Sequence, residues 1–139
     1  MKFDDYTWHS EGEFPSDLPP EKGATHIGMV FVWLAERELV DEECISQIEH
    51  QLASIRKQEI TPGKFALDAF DGKLLSEDLS SLANKFLLSY YADYFSDYSQ
   101  SFWDEGDTIY HVQDSWETFK VVAAFLTQRF DEFIERESP

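Results

Sequence analysis

The stretch Ile27 to Ala35 constrains this chain more than any other feature. Ile27, Val30, Phe31 and Leu34 recur at helical spacing, and Met29, Val32 and Trp33 widen the apolar face almost all round. A helix of that kind has to be surrounded by the rest of the molecule. At about nine residues it is far shorter than the ~20 that a membrane-spanning helix needs. The remaining sequence must therefore supply a body around a central helix, and 139 residues suffice for one such domain. Twelve Phe, six Tyr and four Trp supply the large apolar areas that a core requires.

The other elements follow from caps and spacing. Thr25 is the expected cap of the central helix, which would run to about Glu38. Asp41 can cap a second helix, in which Ile45, Ile48, Leu52 and Ile55 make a narrow apolar stripe. A short third helix should follow Thr61-Pro62, with proline in its favoured first position and Phe65, Ala69 and Phe70 inward. Asp71-Gly72 marks a turn. Ser76 is the expected cap of a long helix that carries Leu79, Leu82, Ala83, Phe86 and Leu87 and continues through Tyr98. Asp104 to Asp107 is a loop, and Ile109 to Val112 a short strand or extended connection. A last helix should begin near Ser115, with Trp116, Phe119, Ala123, Leu126, Phe130 and Phe133 on one face. Alternating patterns are nearly absent. The expectation is an all-α fold: a compact bundle of about five helices forming one domain over residues 1–139. Residues 1–23, broken by Gly12, Pro15, Pro19, Pro20 and Gly23, should form an irregular arm pinned to the bundle by its aromatics.

Charge narrows the function classes. Twenty-eight Asp and Glu against eleven Lys and Arg give a formal charge of −17. That field repels phosphate backbones and anionic lipid heads and attracts basic proteins or metal cations, so neither nucleic acid nor membrane is an expected partner. An acidic surface also serves simply to keep a protein soluble. Cys44 is the only cysteine, which excludes an intramolecular disulfide and suits a reducing compartment. Without an apolar leader at its start, the chain reads as cytoplasmic. Its oligomeric state is not legible.

Two residue groups could carry function. Tyr90, Tyr94 and Tyr98 repeat every four residues and share a helix face, with Asp93 and Asp97 on the adjoining strip. From Asp93 to Glu117 there are seven acidic residues and no Lys or Arg. Tyr91, Asp93, Tyr94, Asp97, Tyr98, Asp104 and Glu105 are therefore candidate contacts for a basic protein partner. The alternative is that the tyrosines form the edge of the core and the acids a solvated face. The second group is Asp4, Asp5, Trp8 and His9 in the arm, with Thr25 and His26 at the start of the buried helix. Two carboxylates and two imidazoles could bind a divalent metal or run acid–base chemistry. They could equally form a pocket or a structural hydrogen-bond cluster, because Asp4 and Asp5 point opposite ways and only the fold could bring His9 to His26. There is no phosphate-binding glycine loop, Gly-x-Ser-x-Gly, His-Glu-x-x-His or cysteine pair. No catalytic residue, metal-ligand set or cofactor is assigned from sequence.

The order Lys2-Phe3-Asp4-Asp5, Trp8-His9, Leu18-Pro19-Pro20-Glu21 and Gly23-Ala24-Thr25-His26-Ile27-Gly28-Met29 resembles a family of small bacterial proteins of unknown function. The resemblance covers about the first quarter of the chain. It implies a bacterial cytoplasmic protein. Because small acidic proteins of this sort often accompany secreted toxins, it also carries the expectation of an immunity protein that neutralises a basic, nuclease-like toxin. A small-ligand or metal-binding enzyme built on Asp4, Asp5, His9 and His26 is the competing expectation.

Overall fold

The computed structural model describes residues 1–137. Its framework is helical. Among the described residues there are α1 (Tyr6–Ser10), α2 (Thr25–Glu36), α3 (Glu42–Gln47), α4 (Glu49–Arg56), α5 (Pro62–Phe70), α6 (Ser81–Ser101) and α7 (Trp116–Glu137). They are joined by a two-stranded antiparallel ribbon of β1 (Lys2–Asp5) and β2 (Lys73–Leu75) and by short 3-10 turns. The all-helical expectation holds for the body and misses the ribbon. Its strands are too short for an alternating pattern to stand out.

Helix α2 is central. Every residue from Thr25 to Leu34 is buried, as an apolar face running all round demands. It lies against α5 at close range because Gly28 has no side chain. A Cβ there would stand 2.0 Å from the carbonyl oxygen of Pro62. The stacked rings of Phe31 and Phe70, with centroids 3.7 Å apart, continue the same contact. Helices α6 and α7 close the other side, where Trp33, Phe86, Phe130 and Phe133 pack ring against ring.

Several expected boundaries are confirmed by their caps. Asp41 accepts from the Glu43 N–H, and Thr61 from the Lys64 N–H ahead of Pro62. Asp71 ends α5 in the left-handed conformation at φ 56°, followed by Gly72 at φ 69°. Others differ. The segment after Asp41 is two helices, α3 and α4, divided at Ile48, while Ile48, Leu52 and Ile55 all stay buried. Ser76 opens a 3-10 turn, and Ser80 caps α6 by accepting from the Ala83 N–H. Thr25 is the first residue of α2 rather than its cap, because the 3-10 turn Pro20–Ala24 runs directly into the helix. Ile109–His111 is also a 3-10 turn, not a strand.

The arm is the largest correction. It is ordered by local structure that proline and glycine punctuation did not reveal. β1 pairs Asp4 with Leu74 and Asp5 with Lys73, while Lys2 pairs with Leu75, so Phe3 is an extra residue and the strand bulges. A bulge of this kind re-aims the side chains beside it. Asp5 then caps α1, its carboxylate accepting from the Thr7 N–H at 2.9 Å and the Thr7 hydroxyl at 2.8 Å. Tyr6 N–H donates to the Gly72 carbonyl and ties the arm to the end of α5.

Candidate functional site

Strand β1, helix α1 and the first turn of α2 bring one carboxylate and two imidazoles together. Asp4 Oδ1 lies 2.7 Å from His9 Nε2, and Oδ2 lies 3.0 Å from His26 Nε2. The same carboxylate accepts from the Asp5 N–H at 2.8 Å and from the Tyr91 hydroxyl at 2.5 Å. On its far side, His9 Nδ1 shares a 2.6 Å hydrogen bond with the Tyr110 hydroxyl. The two imidazole rings meet edge to face with centroids 4.5 Å apart, and Phe95 closes over both. Asp4 and His26 are each 2% exposed, and His9 is half-buried at the rim.

The electrostatics follow from that geometry. Burial by itself would raise the Asp4 pKa, but hydrogen bonds from His26 and His9 outweigh it and hold the carboxyl well below the usual carboxylate range. Burial pushes the His26 imidazole below its ordinary value, against the pull of Asp4. The neutral ring next to an ionised carboxylate must carry its proton on Nε2, which makes His26 the donor. Asp5 faces the other way, as expected for the neighbouring residue of a strand. Burial would raise it, yet Lys2 at 2.8 Å and the Thr7 bonds hold it low. Asp5 is a cap and an ion-pair partner, separate from the imidazoles.

The remaining arm candidates divide. Thr25 is buried at the start of α2 beside His26. Trp8 is 55% exposed, with the Lys2 ammonium 5.2 Å above its ring. Two residues of the network were not read from sequence as part of it, Tyr91 and Tyr110. The sequence carried no signal for them, because they stand 87 residues from Asp4 and 101 from His9 respectively.

The tyrosine face of α6 is corrected. Tyr91, Tyr94 and Tyr98 are 6%, 0% and 0% exposed, so they offer no contact area to a partner. Their shared face turns inward, and two of the phenol tips are satisfied inside the fold: Tyr91 donates to Asp4 and Tyr94 to the His26 carbonyl at 2.6 Å, whereas the buried Tyr98 hydroxyl has no hydrogen-bond partner among the described residues. Asp97 accepts from Tyr90 at 2.6 Å and from Arg129 at 3.0 and 3.1 Å, which neutralises it within the chain. Asp93, Asp104 and Glu105 are exposed as expected. Beside the last two stands Trp103, which is 78% exposed and did not figure among the candidates.

No helix among the described residues is long and apolar enough to cross a membrane. No curated protein and no solved structure matches the chain. A family model does match, over residues 2–112, a span that contains Asp4, His9, His26, Tyr91 and Tyr110 and stops short of α7. The chain therefore belongs to the family described as a domain of unknown function, DUF7832.

Proposed function

We propose that this protein is an acidic binding domain for a basic protein partner, and that the partner docks on the loop that follows α6. The observation that carries the reading is Trp103, 78% exposed and flanked by the exposed acids Asp104, Glu105 and Asp107. Large aromatics are costly to leave in water and are enriched at the centres of interfaces. Here the ring stands beside a hollow of about 140 Å³ lined by Ser99, Phe102, Gly106 and Asp107, among others. The surrounding acids and the overall charge of −17 would accelerate encounter with a cationic surface and disfavour anionic competitors.

Within that class, the finer reading is an immunity protein that neutralises a basic, nuclease-like toxin. A protein that acts on a polyanion carries a cationic active site, and clustered carboxylates beside an aromatic anchor can occupy the same field as the substrate.

The test begins with capture from source cells at low salt, followed by binary binding of the purified partner. A stoichiometric basic protein should bind with a salt-sensitive association rate. Trp103→Ala should speed its dissociation, while Asp104→Lys with Glu105→Lys should slow association. A partner whose binding is indifferent to both variants and to salt refutes this docking surface. If that partner is a toxin, co-expression should relieve its toxicity, and the same variants should restore it.

A further inference from the structure

A buried carboxylate needs donors, and Asp4 has four, enough to fill its acceptor sites. The Asp5 N–H and the Tyr91 hydroxyl already supply one bond to each oxygen. Two imidazoles from separate elements then converge on the same group, each through Nε2. Ligand atoms of Asp4, His9 and His26 all lie within 4.8 Å of one another.

The N···O separations of 2.7 and 3.0 Å fall just short of the ~3.3 Å that spans two ligands of a tetrahedral ion with bonds of about 2.0–2.1 Å. An opening of roughly half an ångström would admit an ion between the carboxylate and the rings. The outer contacts are those that a metal site uses. Tyr91 and the Asp5 N–H would retain the carboxylate after its imidazole bonds were replaced. Tyr110, 2.6 Å from His9 Nδ1, would fix the ring and accept its proton bond once Nε2 became a ligand. The neutral His26 ring would move its single proton from Nε2 to Nδ1 when Nε2 became a ligand. His9, at the rim, marks the side from which the ion and a water ligand would enter.

We propose that Asp4, His9 and His26 form a binding site for one divalent transition ion of the zinc class, with Tyr110 as the residue that positions His9. Two imidazoles and one carboxylate suit Zn²⁺ and its first-row neighbours and leave a coordination position for water. This site would join the arm to α2 through the ion and uses neither Trp103 nor the acids beside it.

The test uses the full chain, stripped with a chelator and confirmed to be folded by circular dichroism. Zn²⁺ titration by calorimetry should show one ion per chain, and Co²⁺ should give visible absorption bands that Zn²⁺ abolishes. His9→Gln should remove the binding. Tyr110→Phe, which keeps the ring and loses only the hydroxyl, should weaken it by about tenfold or more. Joint replacement His50→Ala with His111→Ala should leave it unchanged. The proposal is overturned if the folded wild-type chain binds neither ion. It is also overturned if His9→Gln binds as the wild type does, or if the His50/His111 variant loses the ion.

Discussion

Replacing Asp4 with alanine leaves four donors facing an empty place: His9 Nε2, His26 Nε2, the Asp5 N–H and the Tyr91 hydroxyl. Two of these side chains, His26 and Tyr91, are buried and have no route to water as the fold stands. Each orphaned buried donor costs about 1–3 kcal/mol, so the pair alone costs about 2–6 kcal/mol. His9 adds less, because its rim position admits solvent. Against a typical domain stability of about 5–15 kcal/mol, the substitution should remove a large share of the total. The assay is urea unfolding with chelator present, followed by tryptophan fluorescence. Tyr91→Phe supplies the internal check. In the wild-type background it should destabilise by about 1 kcal/mol, whereas in Asp4→Ala it should stabilise, because it deletes an orphaned hydroxyl. Additive destabilisation by the two changes, or a cost below about 1 kcal/mol for Asp4→Ala, would refute the buried network as a determinant of the fold.

Gly28→Ala should destabilise by about 3 kcal/mol or more, since its Cβ would stand 2.0 Å from the Pro62 carbonyl oxygen and 2.7 Å from the Gly63 nitrogen, both backbone atoms that cannot rotate away; an unchanged urea midpoint would show that α2 and α5 do not meet there. The Asp97 carboxyl is held below its ordinary value chiefly by Arg129, so the pair stabilises above about pH 4 and the contribution is lost as pH falls through the lowered folded value. With Arg129 45% exposed, it should be worth only about 0.2–1 kcal/mol. Arg129→Met should shift the Asp97 titration to higher pH, readable by carboxyl NMR titration, while the Tyr90 hydrogen bond remains. Burial and then the nearby Asp78 and Asp41 push the Cys44 thiol up to about 11, so it should resist thiol reagents at neutral pH in the folded protein and react fully in denaturant.

Sequence alone determined the features that depend on neighbours along the chain. The apolar run after Thr25 required a surrounded helix, and α2 is buried along most of its length. Asp41, Thr61-Pro62 and Asp71-Gly72 punctuate helices because capping and left-handed turns are satisfied within a few residues. The opposite orientation of Asp4 and Asp5 was legible for the same reason. Tertiary structure decided everything that joins distant segments. The ribbon of β1 and β2 pairs residues about seventy apart in the chain, so Lys2–Asp5 carries no strand pattern of its own. The α6 tyrosines show a periodicity that serves equally well for a wet or a dry face. The burial of Tyr91 and Tyr94 goes with acceptors supplied by Asp4 and the His26 carbonyl, which no local rule places there. The gathering of Asp4, His9 and His26 likewise needs the bulged strand, the short α1 and the first turn of α2 at once. Hydrogen bonds are short and directional, so spacing can nominate such residues, and only the packed chain can bring their atoms within reach of one another.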